Sequence, residues 1–262
     1  DLVMNEEISI VGAAGFLGTR LSKILKREDF TFNSYDIDDK HESVKKIDVE
    51  SLSSVAILKN SSTIINLAAV HRDDVKPVSK YDDVNVTGAL NICQVASENK
   101  VNKIIFASSV AIYGFTKPNT DELGEPNYFN DYGRTKFEAE QIYKNWYLED
   151  PNNRTLIIIR PTVIFGEGNR GNVYNLLNQI NSNRFLMIGN GKNIKSMAYV
   201  ENVAAFIEHS LCINKGFHVF NYVDKPYMNM NTLISTIRKT LFNKSGVGIR
   251  VPIFLGYLIG YL

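Results

Sequence analysis

Gly12-Ala13-Ala14-Gly15-Phe16-Leu17-Gly18 follows directly on the β-branched run Ile8-Ser9-Ile10-Val11. It runs straight into a stretch where Leu17, Leu21, Ile24 and Leu25 recur at helical spacing. A glycine turn between a strand and a helix leaves the first helical amides facing outward, where they can hold a diphosphate. Such a turn is completed about 20 residues later by an acid that grips a ribose diol. Asp36 closes the next strand-like run, Phe30 to Tyr35, 18 residues past Gly18. A second cluster, Gly166-Glu167-Gly168-Asn169-Arg170-Gly171, fits G-x-G-x-x-G more literally but meets no acid until Glu201, 30 residues past Gly171. Context selects the first cluster as the dinucleotide turn and leaves the second as a flexible loop on the substrate side. A carboxylate at position 36 hydrogen-bonds the adenosine ribose and repels a 2′-phosphate, which favours NAD over NADP.

Further strands are expected at Thr63–Leu67, Ile104–Ala107 and Leu156–Ile159, with helices over 84–100 and 131–148. Strands that are apolar along their whole length are covered on both faces. Their alternation with helices predicts an α/β fold with a doubly wound parallel sheet, the Rossmann arrangement. Past Pro161 the chain becomes rich in Gly and Asn, with helices expected at 173–180, 200–213 and 231–241 and a strand at 218–222. Two domains are expected: 1–165 for the nucleotide and the chemistry, and 166–262 as a smaller substrate lobe. The apolar stretch 251–262 is too short to span a bilayer. It reads first as a buried or dimer-facing segment, and second as a peripheral membrane contact.

Tyr132 and Lys136 lie four apart on an expected helix and so share a face. A phenol with a pKa of about 10 is a poor base at neutral pH, and a nearby ammonium favours its phenolate. Ser109, just past the strand ending at Ala107, is the hydroxyl that could hold a substrate oxygen opposite. With 13 Tyr and 19 Lys in 262 residues, one Tyr-x-x-x-Lys is expected by chance. Tyr113 and Lys117 form a second, but Gly114 and Pro118 argue against a helix there, so a packed Tyr and a solvated Lys are expected.

Together with Asn66-Leu67-Ala68-Ala69, Ser108-Ser109-Val110-Ala111-Ile112-Tyr113-Gly114, Tyr132-Gly133-Arg134-Thr135-Lys136 and Arg160-Pro161, the glycine turn occurs in a familiar order. In these residues the chain resembles the extended short-chain dehydrogenases/reductases of the NAD-dependent epimerase/dehydratase family, which mostly act on nucleotide-linked sugars. The resemblance implies Ser109, Tyr132 and Lys136 as catalytic residues. It implies a cofactor site of Gly12, Gly15, Phe16, Leu17, Gly18, Asp36, Asp48, Val49, Leu67, Ala68 and Ala69, joined by Tyr132 and Lys136. Asn85 falls at the family's structural and proton-relay asparagine, and Ser109, Lys195 and Asn172 at substrate-facing positions. Lys195 stands where members usually carry an arginine, which keeps the charge and loses the bidentate fork. Members are commonly longer than this chain, so part of the sugar-binding lobe is expected to lie outside it.

The resemblance implies a nucleotide-sugar 4-epimerase, with a UDP-sugar as substrate. Related 4,6-dehydratases carry an Asp-Glu pair after the active-site hydroxyl residue. Val110 and Ala111 stand there and can move no proton, which argues against dehydration. A 4-keto-sugar reductase would use the same three residues. Steroid or flavonoid-like ketones are weaker substrates for a lobe with Lys195 and an Asn/Gly-rich loop. An NAD-sensing regulatory protein on the same fold would need the glycine turn without the acid–base set.

Other classes find little support. No G-x-S-x-G marks a serine hydrolase. His41, His71, His209 and His218 form no H-E-x-x-H, and no metal is expected. Gly189-Asn190-Gly191-Lys192-Asn193 lacks the Ser/Thr and upstream Gly of a P-loop. Only Cys93 and Cys212 are present, and Lys and Arg nearly balance Asp and Glu at a net charge of +1. These features fit a reduced, cytoplasmic, soluble protein without a nucleic-acid partner, with a homodimer left open.

Overall fold

The computed structural model describes residues 7–39, 42–72, 74–117 and 119–255. His41, Pro118 and the end of the apolar stretch, 256–262, lie outside the described residues. The chain begins with strand β1 (Ile8–Val11), helix α1 (Phe16–Arg27), β2 (Phe32–Asp36) and β3 (Val44–Lys46). A short α2 (Leu52–Val55), β4 (Thr63–Asn66) and α3 (Ser79–Tyr81) follow, then α4 (Gly88–Glu98) and β5 (Lys103–Ala107). The long α5 (Asp131–Glu149) leads to β6 (Thr155–Pro161) and β7 (Val163–Phe165). Next come α6 (Asn172–Asn181), β8 (Met187–Ile188), β9 (Ile194–Lys195), β10 (Met197–Tyr199) and α7 (Val200–Ser210). The last elements are β11 (Phe217–Tyr222), β12 (Met228–Asn229), α8 (Met230–Phe242) and β13 (Arg250–Val251).

Seven strands form one parallel sheet in the order β11-β6-β5-β4-β1-β2-β3. β1, β4 and β6 are buried along their whole length, as strands covered on both faces must be. On one face Val11, Ile64, Phe106 and Ile158 meet Ile92 and Val95 of α4 and Tyr143 and Trp146 of α5. On the other, α1 packs against α7. Chain direction across the sheet reverses between β1 and β4, so the turn leaving β1 opens at a topological switch point, where ligands of such sheets bind.

The chain divides into two units, and the expected boundary needs correction. The first unit is residues 1–162 with 200–222; the second is 163–199 with the residues from 223 on. The cause is β11, which pairs in parallel with β6 from Phe217 opposite Leu156 to Tyr222 opposite Pro161. The second unit has its own small core of Ile180, Met187 and Ile234.

Candidate active site

β1 ends at Gly12, whose φ of +86° is a left-handed value; a Cβ there would lie 2.6 Å from the Ala68 nitrogen. Gly18 is tighter still: a Cβ would meet the Gly12 carbonyl oxygen at 2.3 Å. These glycines seat α1 hard against its turn, and Gly15 caps the helix without a side-chain hydrogen bond. The turn is pinned to β2, because the Gly12 and Ala13 amides donate to Tyr35 O at 2.9 and 3.0 Å. Asp36 is held against it: Oδ2 accepts from the Ala14 amide at 2.9 Å and Oδ1 from the Asp38 amide at 3.1 Å.

Phe16 and Leu17 are half-buried in the first turn of α1. Asp48 Oδ1 takes the Glu50 amide at 3.0 Å, and Val49 is buried, its carbonyl accepting from Asn91 Nδ2 at 2.8 Å. Leu67, Ala68 and Ala69 leave the end of β4, where Asn66 Oδ1 accepts from the Ala68 amide at 3.1 Å. The structure thus gathers the turn, Asp36 and the β4 exit at one edge of the sheet. Gly12 and Gly18 leave no room for a Cβ, and α1 starts at this turn, an arrangement that fits the diphosphate of a dinucleotide.

Tyr132 and Lys136 share one face of α5. Asn130 Oδ1 caps this helix by accepting from the Gly133 amide at 2.8 Å. A Cβ on Gly133 would lie 2.6 Å from Ala111 O, so the start of α5 is packed on the single 3₁₀ turn Val110–Tyr113. Ser109 caps that turn, its Oγ accepting from the Ala111 amide at 3.1 Å. Lys136 is buried, donates to Ala107 O at 2.6 Å and lies 4.6 Å from the centre of the Phe106 ring. Burial pushes its ammonium down to about 7, against an opposing pull from Glu140. Tyr132 and Ser109 are half-buried on the same joint between β5 and α5.

Asn85 lies in a π-helical turn, Asp82–Thr87, the kind of irregularity often found at functional sites. Its side chain accepts from Val70 N at 2.9 Å and donates to Val70 O and Thr135 Oγ1, each at 3.0 Å. It therefore braces the residue preceding Lys136.

Behind these residues is a buried network given no role by sequence reasoning. Glu140 Oε1 accepts from Ser108 Oγ at 2.5 Å and Arg160 Nε at 2.9 Å, and its Oε2 from Arg160 Nη2 at 2.7 Å. Arg160 Nη1 donates to Tyr113 Oη at 2.5 Å, and Tyr113 donates to Asn221 Oδ1 at 2.9 Å. The available signal was Glu140 one turn beyond Lys136, together with the Arg160-Pro161 pair. Tyr113 is thus buried in a structural network, while Lys117 is exposed outside any helix.

In the second unit, the Gly166–Gly171 loop lines a cavity of about 330 Å³ with Tyr174, Leu177 and Tyr199. Lys195 is half-buried in β9 opposite Met228 of β12, and Asn172 is exposed at the start of α6. Among the described residues no group of three His, Cys, Asp or Glu could hold a metal ion, and no helix is long and apolar enough to cross a membrane.

Residues 8–221 match the model of the NAD dependent epimerase/dehydratase family. The chain is 46% identical, over 98% of its length and 79% of the relative's, to the N-acetyl-alpha-D-glucosaminyl-diphospho-ditrans,octacis-undecaprenol 4-epimerase of Escherichia coli O157:H7. It is 26% identical to the UDP-glucose 4-epimerase of Vibrio cholerae, over 84% of this chain and 72% of that one. Among solved structures, UDP-N-acetylglucosamine 4-epimerase from Bacillus cereus superposes with a TM-score of 0.80 at 20% identity, over 94% of this chain and 84% of that one. At that identity the likeness is one of fold.

Proposed function

The chain belongs to the NAD-dependent epimerase/dehydratase family, and from that premise we propose that it is a 4-epimerase of a sugar held through a diphosphate. The reading rests on one conjunction. Ser109 caps the turn on which the start of α5 packs, and Tyr132 and Lys136 share a face of that helix, in a chain 46% identical to a 4-epimerase over nearly its whole length. The turn at Gly12–Gly18 would hold the cofactor's diphosphate and Asp36 its adenosine ribose, with Leu67, Ala68 and Ala69 along the dinucleotide. Bound NAD supplies a hydride acceptor that can return the hydride. Tyr132 takes the proton of the sugar's C4 hydroxyl and later gives one back to the C4 oxygen. Ser109 Oγ holds that oxygen, and Lys136 in its charged form favours the phenolate. Neither Val110 nor Ala111 can carry the extra proton transfers of a dehydration, so the C6 hydroxyl stays in place.

A UDP-sugar is the first substrate to test. A polyprenyl-diphosphate sugar is the second, favoured by the activity for which the 46% identical relative is named. Both present the same diphosphate-linked hexose to Tyr132. Incubating the protein with NAD and UDP-glucose, UDP-N-acetylglucosamine or polyprenyl-diphospho-N-acetylglucosamine should produce the C4 epimer of at least one, without net NADH. Stoichiometric NAD(P)H consumption on a 4-keto sugar, with no epimer exchange on the hydroxy sugar, would make the protein a reductase. Release of a 4-keto-6-deoxy sugar would overturn the argument from Val110 and Ala111.

Cofactor choice is tested at Asp36. Asp36→Ala removes an ionised acceptor worth roughly 1.5–3 kcal/mol, so NAD should bind about 10- to 100-fold more weakly. Titration of both cofactors into the unaltered protein should show NAD bound more tightly than NADP. The reverse order would withdraw the assignment.

A further inference from the structure

A net charge of +1 conceals a strong segregation of charge. The second unit carries nine Lys and Arg against two Asp and Glu, a net +7, which leaves −6 on the first. Neither 168–200 nor 225–262 contains a single Asp or Glu. Surfaces of soluble domains usually intersperse both signs, so a lobe of one sign points to an anionic partner.

The same unit also exposes apolar side chains. β13 pairs with β8, Val251 opposite Ile188. After Pro252 the chain folds over Gly189, where a Cβ would lie 2.9 Å from Ile253 Cγ1. Ile188, Ile249, Ile253 and Phe254 are therefore gathered at one edge, with exposures of 50, 67, 57 and 65%. In the same unit Arg184 precedes β8, Lys239 and Lys244 flank the C-terminal end of α8, and Arg250 sits within β13, all exposed. Arg250 is fixed there, donating to Gly189 O at 2.7 Å and Asn231 Oδ1 at 2.8 Å.

We propose that this edge docks the protein on the surface of an anionic lipid bilayer, the isoleucines and Phe254 entering the headgroup boundary and the basic residues facing the phosphates. Exposed apolar residues in a unit whose flanking segments, 168–200 and 225–262, carry cations and no acid fit such an interface. A nucleic acid would engage the cations and leave Phe254 unused, and a second copy would bring +7 against +7. The docking goes beyond the sugar chemistry and is read without turnover, so it stands or falls apart from the epimerase reading.

The test is sedimentation of the full chain with vesicles of phosphatidylcholine alone, and with vesicles of phosphatidylethanolamine and phosphatidylglycerol. Binding is expected to the anionic vesicles only, weakening as salt is raised. Each basic residue near an anionic surface contributes about five-fold, so Lys239→Ala with Lys244→Ala should weaken binding about 25-fold. Phe254→Ser should weaken it by about ten-fold or more. Both variants should melt and bind NAD like the unaltered protein, because these side chains are exposed. Absence of binding, equal binding to phosphatidylcholine, or variants that bind as well as the unaltered chain would each overturn the proposal. So would sedimentation without vesicles, which would make the edge a self-association surface, or an RNA oligomer bound independently of Phe254.

Discussion

Replacing Tyr132 with Phe should lower turnover by about 10²- to 10⁴-fold, the range supplied by a single general acid–base group. The change removes one hydroxyl from a half-buried position on α5 and leaves the helix cap at Asn130 and the Gly133 contact with Ala111 in place. NAD binding should therefore survive, which separates lost chemistry from lost folding. Tyr113→Phe is the internal control. That ring also precedes a lysine by four residues, yet its hydroxyl lies between Arg160 and Asn221. Its loss should cost about 1 kcal/mol of stability and little rate. Product formation by the two variants at saturating NAD checks the pair, and near-normal turnover by Tyr132→Phe would sink the assignment.

What the sequence made legible was local. Strand, turn and helix from Ile8 to Arg27 can be read because glycine spacing, β-branching and apolar periodicity all act within a few residues. The position of Asp36 at the end of the next strand is legible for the same reason. Position in the sheet is decided by partners far away in sequence, and there the reading failed. Nothing in Phe217–Tyr222 marks it as the neighbour of β6, yet that pairing puts 200–222 in the first unit. β3 has only three residues, two of them exposed lysines, and carries no alternating pattern. The Glu140–Arg160 pair joins a helix to the following strand, and the positions of the two residues in the chain do not reveal that they meet. Charge segregation escaped a whole-chain sum, because +7 and −6 cancel until the chain is divided as it folds.

Arg160→Met should be the most damaging single change outside the acid–base residues. It leaves the Glu140 carboxylate, whose side chain is 2% exposed, without its bidentate partner. Breaking a buried pair from one side costs about 3–5 kcal/mol, because the remaining charge has lost its water and its counter-ion together. For a chain of this size that corresponds to a fall in melting temperature of roughly 6–20 °C. The pair as a whole is worth much less than this, since desolvating two ions offsets most of their attraction. Arg160→Met combined with Glu140→Leu should therefore recover a large part of the loss, which a simple sum of two damaging changes would not. Arg160→Lys should fall between, keeping the charge and losing the fork that reaches Oε1 and Oε2 together. Thermal melting of the four proteins checks the order, and a melting temperature for Arg160→Met close to that of the unaltered protein would refute it. Turnover should suffer below the melting transition as well. Glu140 also holds Ser108, the neighbour of Ser109, and lies one helical turn from Lys136, so the pair braces both sides of the joint that carries Ser109 and Tyr132.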